Sequence, residues 1–184
     1  MTAPTLHTER LILRSFTLDD AQEVQHITSD PDVVPTTTGI VELHLDGMAE
    51  DWILSSQKWF ESGSGAAFAI TLRKDGTFLG NVELHIRNHL PYNDAELGYW
   101  IGKPYWNCGY CTEAAKAAVA YGFLERGLDV ILAYHFSRNP ASGRVMQKIG
   151  MKYWDYFPKD VEHLGVLEDQ IGYTLSKDEF LESC

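Results

Sequence analysis

Basic residues are scarce in this chain: Lys and Arg total 15 against 26 Asp and Glu, a formal charge of −11 over 184 residues. A surface of that sign argues against DNA or RNA backbone as the main partner, since phosphate binding rests on Lys and Arg. It suits an amine or basic peptide, although acidity often only solubilises. Long apolar runs are also missing. No stretch reaches the ~18 residues that span a bilayer, and no cationic patch precedes an apolar run at the N-terminus, so no membrane segment is expected and a cytoplasmic protein is. Repeats and low-complexity linkers are absent. With 45% hydrophobic residues and mixed strand and helix patterns throughout, one domain over residues 1–184 is the expectation.

Cysteine is rare, at three residues, which excludes a disulfide framework. Two of the three nevertheless form Cys108-Gly109-Tyr110-Cys111 ahead of a helix, the placement used by thioredoxin-like disulfide exchangers. Against that reading, the pair sits past mid-chain after a long α/β segment, and Trp106 precedes the first cysteine by two positions. Zinc is disfavoured as well, because only Cys184 remains and no nearby histidine pair has ligand spacing, so no metal is expected.

What the chain does contain is two strand-to-helix junctions. In AELGYWIGKPYWNCGYCTEAAK, residues 95–116, Glu96, Gly98 and Trp100 alternate with Leu97, Tyr99 and Ile101, the period of a strand. Gly102, Lys103 and Pro104 end it, and residues 106–111 form a loop in which Gly109 supplies positive φ and close backbone approach. Thr112 is the expected cap of the next helix, with Glu113 in its first turn; Ala114, Ala117, Tyr121, Leu124 and Leu128 recur at helical spacing, and Arg126 and Gly127 are the expected stop. A helix opening from such a turn offers unpaired N–H groups and partial positive charge to an anionic phosphate. A purely structural strand-turn-helix explains the same pattern equally well. In the second junction, residues 130–150, the apolar run 130–137 reads as a strand covered on both faces, Asn139 as a helix cap with Pro140 following, and Ser142 as a first-turn residue. Two such junctions suit one extended phosphate-bearing cofactor.

Residues 106–114, WNCGYCTEA, resemble the W-G-x-G-Y-A-T-E-A acyl-CoA pyrophosphate loop of the GCN5-related N-acetyltransferases (GNAT), in particular the RimJ and RimL type that acetylates ribosomal-protein alanine and serine. The resemblance extends over almost the whole chain. TERLILRSF, residues 8–16, resembles the family's opening strand; AELGYW, residues 95–100, its central strand; and NPASGRVMQKIGM, residues 139–151, its N-x-x-S-x-x-V-x-x-K-x-G-F segment, with Leu79 and Gly80 at a hairpin exit. The fold it implies is α+β: a central, twisted, mixed but mostly antiparallel sheet of about seven strands, flanked by about four helices and splayed at the central parallel strands. The activity it implies is transfer of an acetyl group from acetyl-CoA to a primary amine, preferably a protein N-terminal α-amine, in a monomer or homodimer. Small amines such as polyamines or aminoglycosides, and a silent acyl-CoA-binding module, are the rival readings.

The resemblance further implies that Trp106, Asn107, Cys108, Gly109, Tyr110, Cys111 and Thr112 hold the CoA diphosphate, that Asn139 contacts the cofactor, and that Ser142 lies near its sulfur. Asn107, Cys108 and Cys111 replace the family's usual glycine, cation and alanine; main-chain binding survives if Asn107 does not need a glycine-only conformation. Either thiol at this helix start is expected to be lowered in pKa and reactive when CoA is absent. Many relatives carry a tyrosine seven residues after the asparagine, to protonate the departing thiolate. That position is Met146, which has no proton to give, and Ser142 is the stand-in. Thioesters are already activated, so positioning and amine deprotonation supply the chemistry without a covalent enzyme intermediate. The amides of Trp100 and Ile101 are expected to bind the acyl carbonyl and Glu96 to draw off the amine proton through water, with Glu83, His85 and Glu162 as weaker contenders.

The remaining pattern gives a strand at 11–16, a helix opening near Asp19 and Asp20, a helix over about 45–60 carrying Met48, Trp52 and Trp59, strands at 67–73 and 78–86 joined by Lys74-Asp75-Gly76, and two strands around a loop at 158–165. The loops at 30–44 and 87–94 are the expected walls of the acceptor site.

Overall fold

The computed structural model describes residues 3–40, 43–87 and 92–183. Eight strands form one sheet: β1 (Leu6–His7), β2 (Leu11–Arg14), β3 (Gly65–Leu72), β4 (Phe78–Ile86), β5 (Asp94–Ile101), β6 (Val130–Phe136), β7 (Lys152–His163) and β8 (Val166–Ser176), in the order β1-β2-β3-β4-β5-β6-β8-β7. Every neighbouring pair is antiparallel except β5 and β6. Among the described residues five α-helices accompany it: α1 (Ala21–Thr28), α2 (Met48–Ser62), α3 (Tyr110–Leu124), α4 (Pro140–Lys148) and α5 (Lys177–Glu182). The fold is the mixed, mostly antiparallel α+β arrangement expected, with one strand and one helix more: two-residue β1 and six-residue α5 are too short to leave a periodic signature.

Strand alternation sorts the core into two layers. On β3, Phe68 and Ile70 face α3 with Leu84, Leu97, Val119, Phe123 and Ile131, whereas Ala67 and Ala69 face α1 and α2 with Phe16, Val24, Ile53, Phe78 and Trp100. Ala67 and Ala69 leave room for Phe16, Ile53 and Phe78 on the face toward α2, and Phe68 and Ile70 fill the face under α3. Each of the fully buried Phe and Leu side chains contributes about 1.5–3 kcal/mol through apolar burial.

Several boundaries differ from expectation for local reasons. Leu18–Asp20 is a 3-10 turn that feeds α1, and Asp20 serves a Thr17/Asp20 capping box while its two carboxylate oxygens each take a 2.7 Å hydrogen bond from Arg14. α2 starts at Met48 rather than Leu45 because Gly47 enters at φ 82°. α3 ends at Leu124, before Arg126 and Gly127. Strand β6 is covered on both faces only near its end; Val130, Leu132 and Tyr134 are half-buried. The expected loop at 158–165 is mostly strand. Pro158 is absorbed by a register shift between Phe157 and Val161, with Lys159 at φ 50°, and the turn is confined to Leu164 and Gly165.

Candidate active site

The start of α3 is built from the end of β5. Trp106 is anchored by its indole N–H, which donates to the Ile101 carbonyl at 2.9 Å. The chain then passes through Asn107 at φ 61° and Gly109 at φ 80°. Both lie in the left-handed region, which glycine enters freely and asparagine more readily than most other side chains, so Asn107 meets the demand that glycine meets in the motif it resembles. Gly109, not Thr112, is the N-cap; its carbonyl accepts from the Glu113 N–H at 3.1 Å, and Thr112 lies inside the first turn. No side chain caps the helix, and among the described residues no protein acceptor meets the N–H groups of Gly109, Tyr110, Cys111 or Thr112. These free donors at the positive end of a 15-residue helix fit an anionic diphosphate group.

A clamp that the sequence did not announce fixes this loop to the β1–β2 turn. The Glu113 carboxylate accepts from Thr8 Oγ1 at 2.6 Å, Arg10 N at 2.8 Å and Arg10 Nε at 2.7 Å. Arg10 also donates to the Cys108 carbonyl at 3.0 Å and lies 4.5 Å over the Tyr110 ring. Partial burial would raise the Glu113 pKa, but the hydrogen bonds from Thr8 and Arg10 outweigh it and hold the carboxyl below its usual range.

Of the two thiols, Cys111 departs from expectation. Cys108 is exposed and Cys111 half-buried, both free. Loss of water around Cys111 pushes its thiol up to about 12, opposite to the lowering expected at a helix start. Cys184 lies outside the described residues, and among those described no group of three or more His, Cys, Asp or Glu is arranged to hold a metal ion.

Beyond the loop the sheet opens. β5 and β6 are in register only from Asp94–Val130 to Glu96–Leu132, whereas β5 stays paired to β4 as far as Ile101. The Gly102 N–H donates to Leu79 at 2.8 Å, which sets the phase of that ladder: the Trp100 N–H turns toward β4, and those of Tyr99 and Ile101 turn toward the opening. Of the two amides expected at an acyl carbonyl, Ile101 is therefore the one facing the gap and Trp100 is not. Gly80 permits this close approach of β4 to β5, since a Cβ there would sit 2.2 Å from the Trp100 carbonyl oxygen.

A cleft of about 190 Å³ runs through the opening and joins the two faces of the sheet. On one side stand Ser142 and Met146 of α4; on the other, Trp52, Glu83, His85, Glu96 and Tyr134. Thr36 to Ile40 close one wall, as expected for the 30–44 loop, while the 88–91 part of the other expected wall lies outside the described residues. Glu96 reaches the cleft but is ion-paired with Arg87. Across from it on β4, Glu83 Oε1 and His85 Nε2 are 3.1 Å apart, and Asn81 Nδ2 donates to Glu83 Oε2 at 2.9 Å. Gly98 leaves room for that carboxylate: a Cβ there would stand 3.0 Å from Glu83 Oε1. The hydrogen bond to Glu83 raises the His85 pKa, against partial desolvation and the nearby Arg87 charge. Glu162 is not among the residues lining the cleft.

Asn139 caps α4 as expected, accepting from the Ser142 N–H at 3.4 Å, and its amide nitrogen reaches the Thr36 carbonyl at 3.3 Å. Gly143 lets the helix settle on β6, where a Cβ would meet His135 Nε2 at 2.6 Å. Tyr99 is the residue that sequence reasoning missed. Its hydroxyl donates to the Ser142 main-chain oxygen at 2.9 Å and lies 3.0 Å from Ser142 Oγ. The available signal was a phenol in the middle of the apolar Leu97-Tyr99-Ile101 face, where a buried O–H needs a partner.

An open parallel strand pair thus stands beside an uncapped helix start, with a cleft between. A family model described as "Acetyltransferase (GNAT) domain" matches residues 10–152. The chain belongs to this family. It is 30% identical over 173 residues to the uncharacterized N-acetyltransferase YnaD of Bacillus subtilis (strain 168), covering 94% of this chain and 97% of that protein. An acetyltransferase (GNAT family) structure from Bacillus anthracis superposes with a TM-score of 0.80 at 28% identity, covering 95% of this chain and 99% of the other. The fold is shared with RimL, a ribosomal L7/L12 α-N-protein acetyltransferase solved in complex with coenzyme A, at a TM-score of 0.85 and 12% identity over 96% and 99% of the two chains.

Proposed function

We propose that this N-acetyltransferase moves an acetyl group from acetyl-CoA to a primary amine, with a protein or peptide N-terminal α-amine as the preferred acceptor. The observation that carries the reading is the cleft through the β5–β6 opening. It offers a thioester and an amine a common space between α4 and the acidic face of β4 and β5. In this reading the amides of Gly109 to Thr112 hold the diphosphate, with Trp106 to Cys108 shaping the loop and Asn139 fixing the neighbouring α4 start. Acetyl-CoA brings an already activated acyl group, so the protein's task is orientation and proton handling.

In this reading the Ile101 N–H, which faces the opening, stabilises the carbonyl oxygen as charge grows on it. Glu83, His85 and Glu96 hold the incoming ammonium among acidic groups and aromatic walls. Because Glu96 is engaged by Arg87, the Glu83–His85 pair is the better placed of the three to take the amine proton, directly or through one water. Ser142 gives its proton to the departing sulfur. The preference for an α-amine draws on the RimL-like fold; a polyamine or other small amine is the second reading, favoured by the acidity of the cleft.

Isothermal titration under reducing conditions should give saturable acetyl-CoA binding, and thiol release across a panel of N-terminal peptides and small amines should identify the acceptor. Failure to bind acetyl-CoA would sink the proposal. Faster release with spermidine than with any peptide would move the acceptor to the second reading.

A further inference from the structure

We infer that Tyr99 is a positioning residue for thiolate protonation, acting through Ser142. The inference rests on the reading above that Ser142 serves the leaving sulfur. Its own support is geometric. Tyr99 comes from β5 and Ser142 from the first turn of α4, 43 positions apart in sequence, and the two meet across the opening between β5 and β6 with one phenol touching both the main-chain and side-chain oxygens of the serine.

The hydroxyl of Tyr99 has one proton. Donating it to the Ser142 carbonyl leaves the phenol oxygen as acceptor for the Ser142 O–H, so the serine rotamer and the height of α4 over the cleft are set by the same side chain. Met146, one turn further along α4 and fully buried, lines the same cleft. A thioether thus stands beside the serine on α4, while a phenol from β5 reaches the serine hydroxyl. Burial pushes the Tyr99 pKa well above its ordinary value, so the phenol keeps its proton and works as a fixed donor rather than as the acid.

The step balances without any further reactant. The amine nitrogen forms a bond to the acyl carbon, the carbon–sulfur bond breaks, and its electron pair leaves on sulfur. Sulfur takes the Ser142 hydroxyl proton as that O–H swings about the Cβ–Oγ bond from the phenol oxygen to the sulfur, and the serine oxygen recovers a proton from the acylated nitrogen through water. Tyr99 remains protonated throughout; its work is to keep the serine oxygen where both transfers can reach it. Without Tyr99 the serine is free to turn away, and its proton is delivered less often for the same amount of bound acetyl-CoA.

The test compares Tyr99→Phe, Ser142→Ala and the double variant by thiol release, using the best acceptor of the amine panel, with thermal unfolding as a check on folding. Tyr99→Phe should lower kcat roughly 10- to 100-fold and leave KM for acetyl-CoA within about twofold. The double variant should be no slower than Ser142→Ala alone, because a residue acting only through the serine has nothing left to position. Wild-type kcat in Tyr99→Phe beside a slow Ser142→Ala would overturn the role of Tyr99 while leaving that of Ser142. Losses that multiply in the double variant, or a rise in KM that accounts for the whole defect, would mark Tyr99 as a general support for α4 and also overturn it. Wild-type turnover in Ser142→Ala would remove the serine from the mechanism, and the proposal with it.

Discussion

Replacing Gly109 by aspartate, with asparagine as its control, isolates the charge of the group at the α3 start. Both side chains must occupy the left-handed conformation at φ 80°, at a cost of about 1–2 kcal/mol in stability, and that cost largely cancels between them. What differs is one negative charge. Set about 6 Å from a diphosphate charge, with an effective dielectric constant near 40 for a partly exposed site, it is repelled by about 1.4 kcal/mol per phosphate charge; with partial screening the sum is about 1–2 kcal/mol, or roughly 5- to 30-fold in Kd. Arg10 opposes the effect, because its Nη2 lies 3.4 Å from where the new Cβ would be. Removing it from both, as Arg10→Ala/Gly109→Asp against Arg10→Ala/Gly109→Asn, should therefore widen the gap. Titration calorimetry with acetyl-CoA reads all four proteins, and the Asp-to-Asn ratio should shrink as salt is raised from about 0.05 to 0.5 M. Equal affinities for the Asp and Asn variants at low salt would refute the placement of the diphosphate at these amides.

Three further perturbations test other parts of the account. Glu113→Gln should cost about 1–2 kcal/mol by weakening the three hydrogen bonds to the β1–β2 turn. Since the folded-state Glu113 pKa is depressed, the stability it confers is present above its ordinary value of 4.5 and fades as pH falls through the lower folded value, so the difference from wild type in denaturant melts should close in acid; a constant difference would contradict it. His85 has a raised pKa and keeps its proton to higher pH, so if it takes the amine proton, kcat/KM rises with pH along a limb above 6.5. Glu83→Gln should move that limb to lower pH, and an unmoved limb would return the role to Glu96. Cys108→Ser with Cys111→Ser should keep acyl transfer within about threefold of wild type, as expected of groups whose main chain does the binding; loss of activity in a folded protein would reopen a thiol mechanism.

The parts of the fold that could be read from the chain are those with long, clean periods. Strands β3, β4 and β5, helix α3, and the Asn139-Pro140 start of α4 all carry local signals strong enough to survive packing. Elements were misjudged where tertiary context overrides local chemistry. Thr112 has the chemistry of a cap, yet Gly109 takes the place because the loop needs a left-handed residue there. Pro158 reads as a strand breaker, yet an edge strand accommodates it in a bulge. The site divides in the same way. The loop that opens α3 is one contiguous segment and is legible as such in the sequence. Tyr99 to Ser142, Glu113 to Thr8 and Arg10, and Glu96 to Arg87 are side-chain meetings between distant or hairpin-related segments, and only the register of the sheet brings them together. The Cys111 thiol was misjudged because a dipole can be read from sequence, whereas the loss of water around one sulfur cannot.

The outer margin of the sheet has a consequence for the protein in crowded solution. β7 is long and rich in exposed aromatics, with Tyr153, Trp154 and Tyr156 all open to solvent, and a strand of that kind ordinarily recruits copies of itself into growing ribbons. Here Pro158 removes a donor, Lys159 turns the backbone out of line, and two register shifts break the row of hydrogen-bonding groups into short pieces. An edge interrupted in this way offers another strand only short stretches to pair with, which is how natural sheets blunt edge-to-edge association.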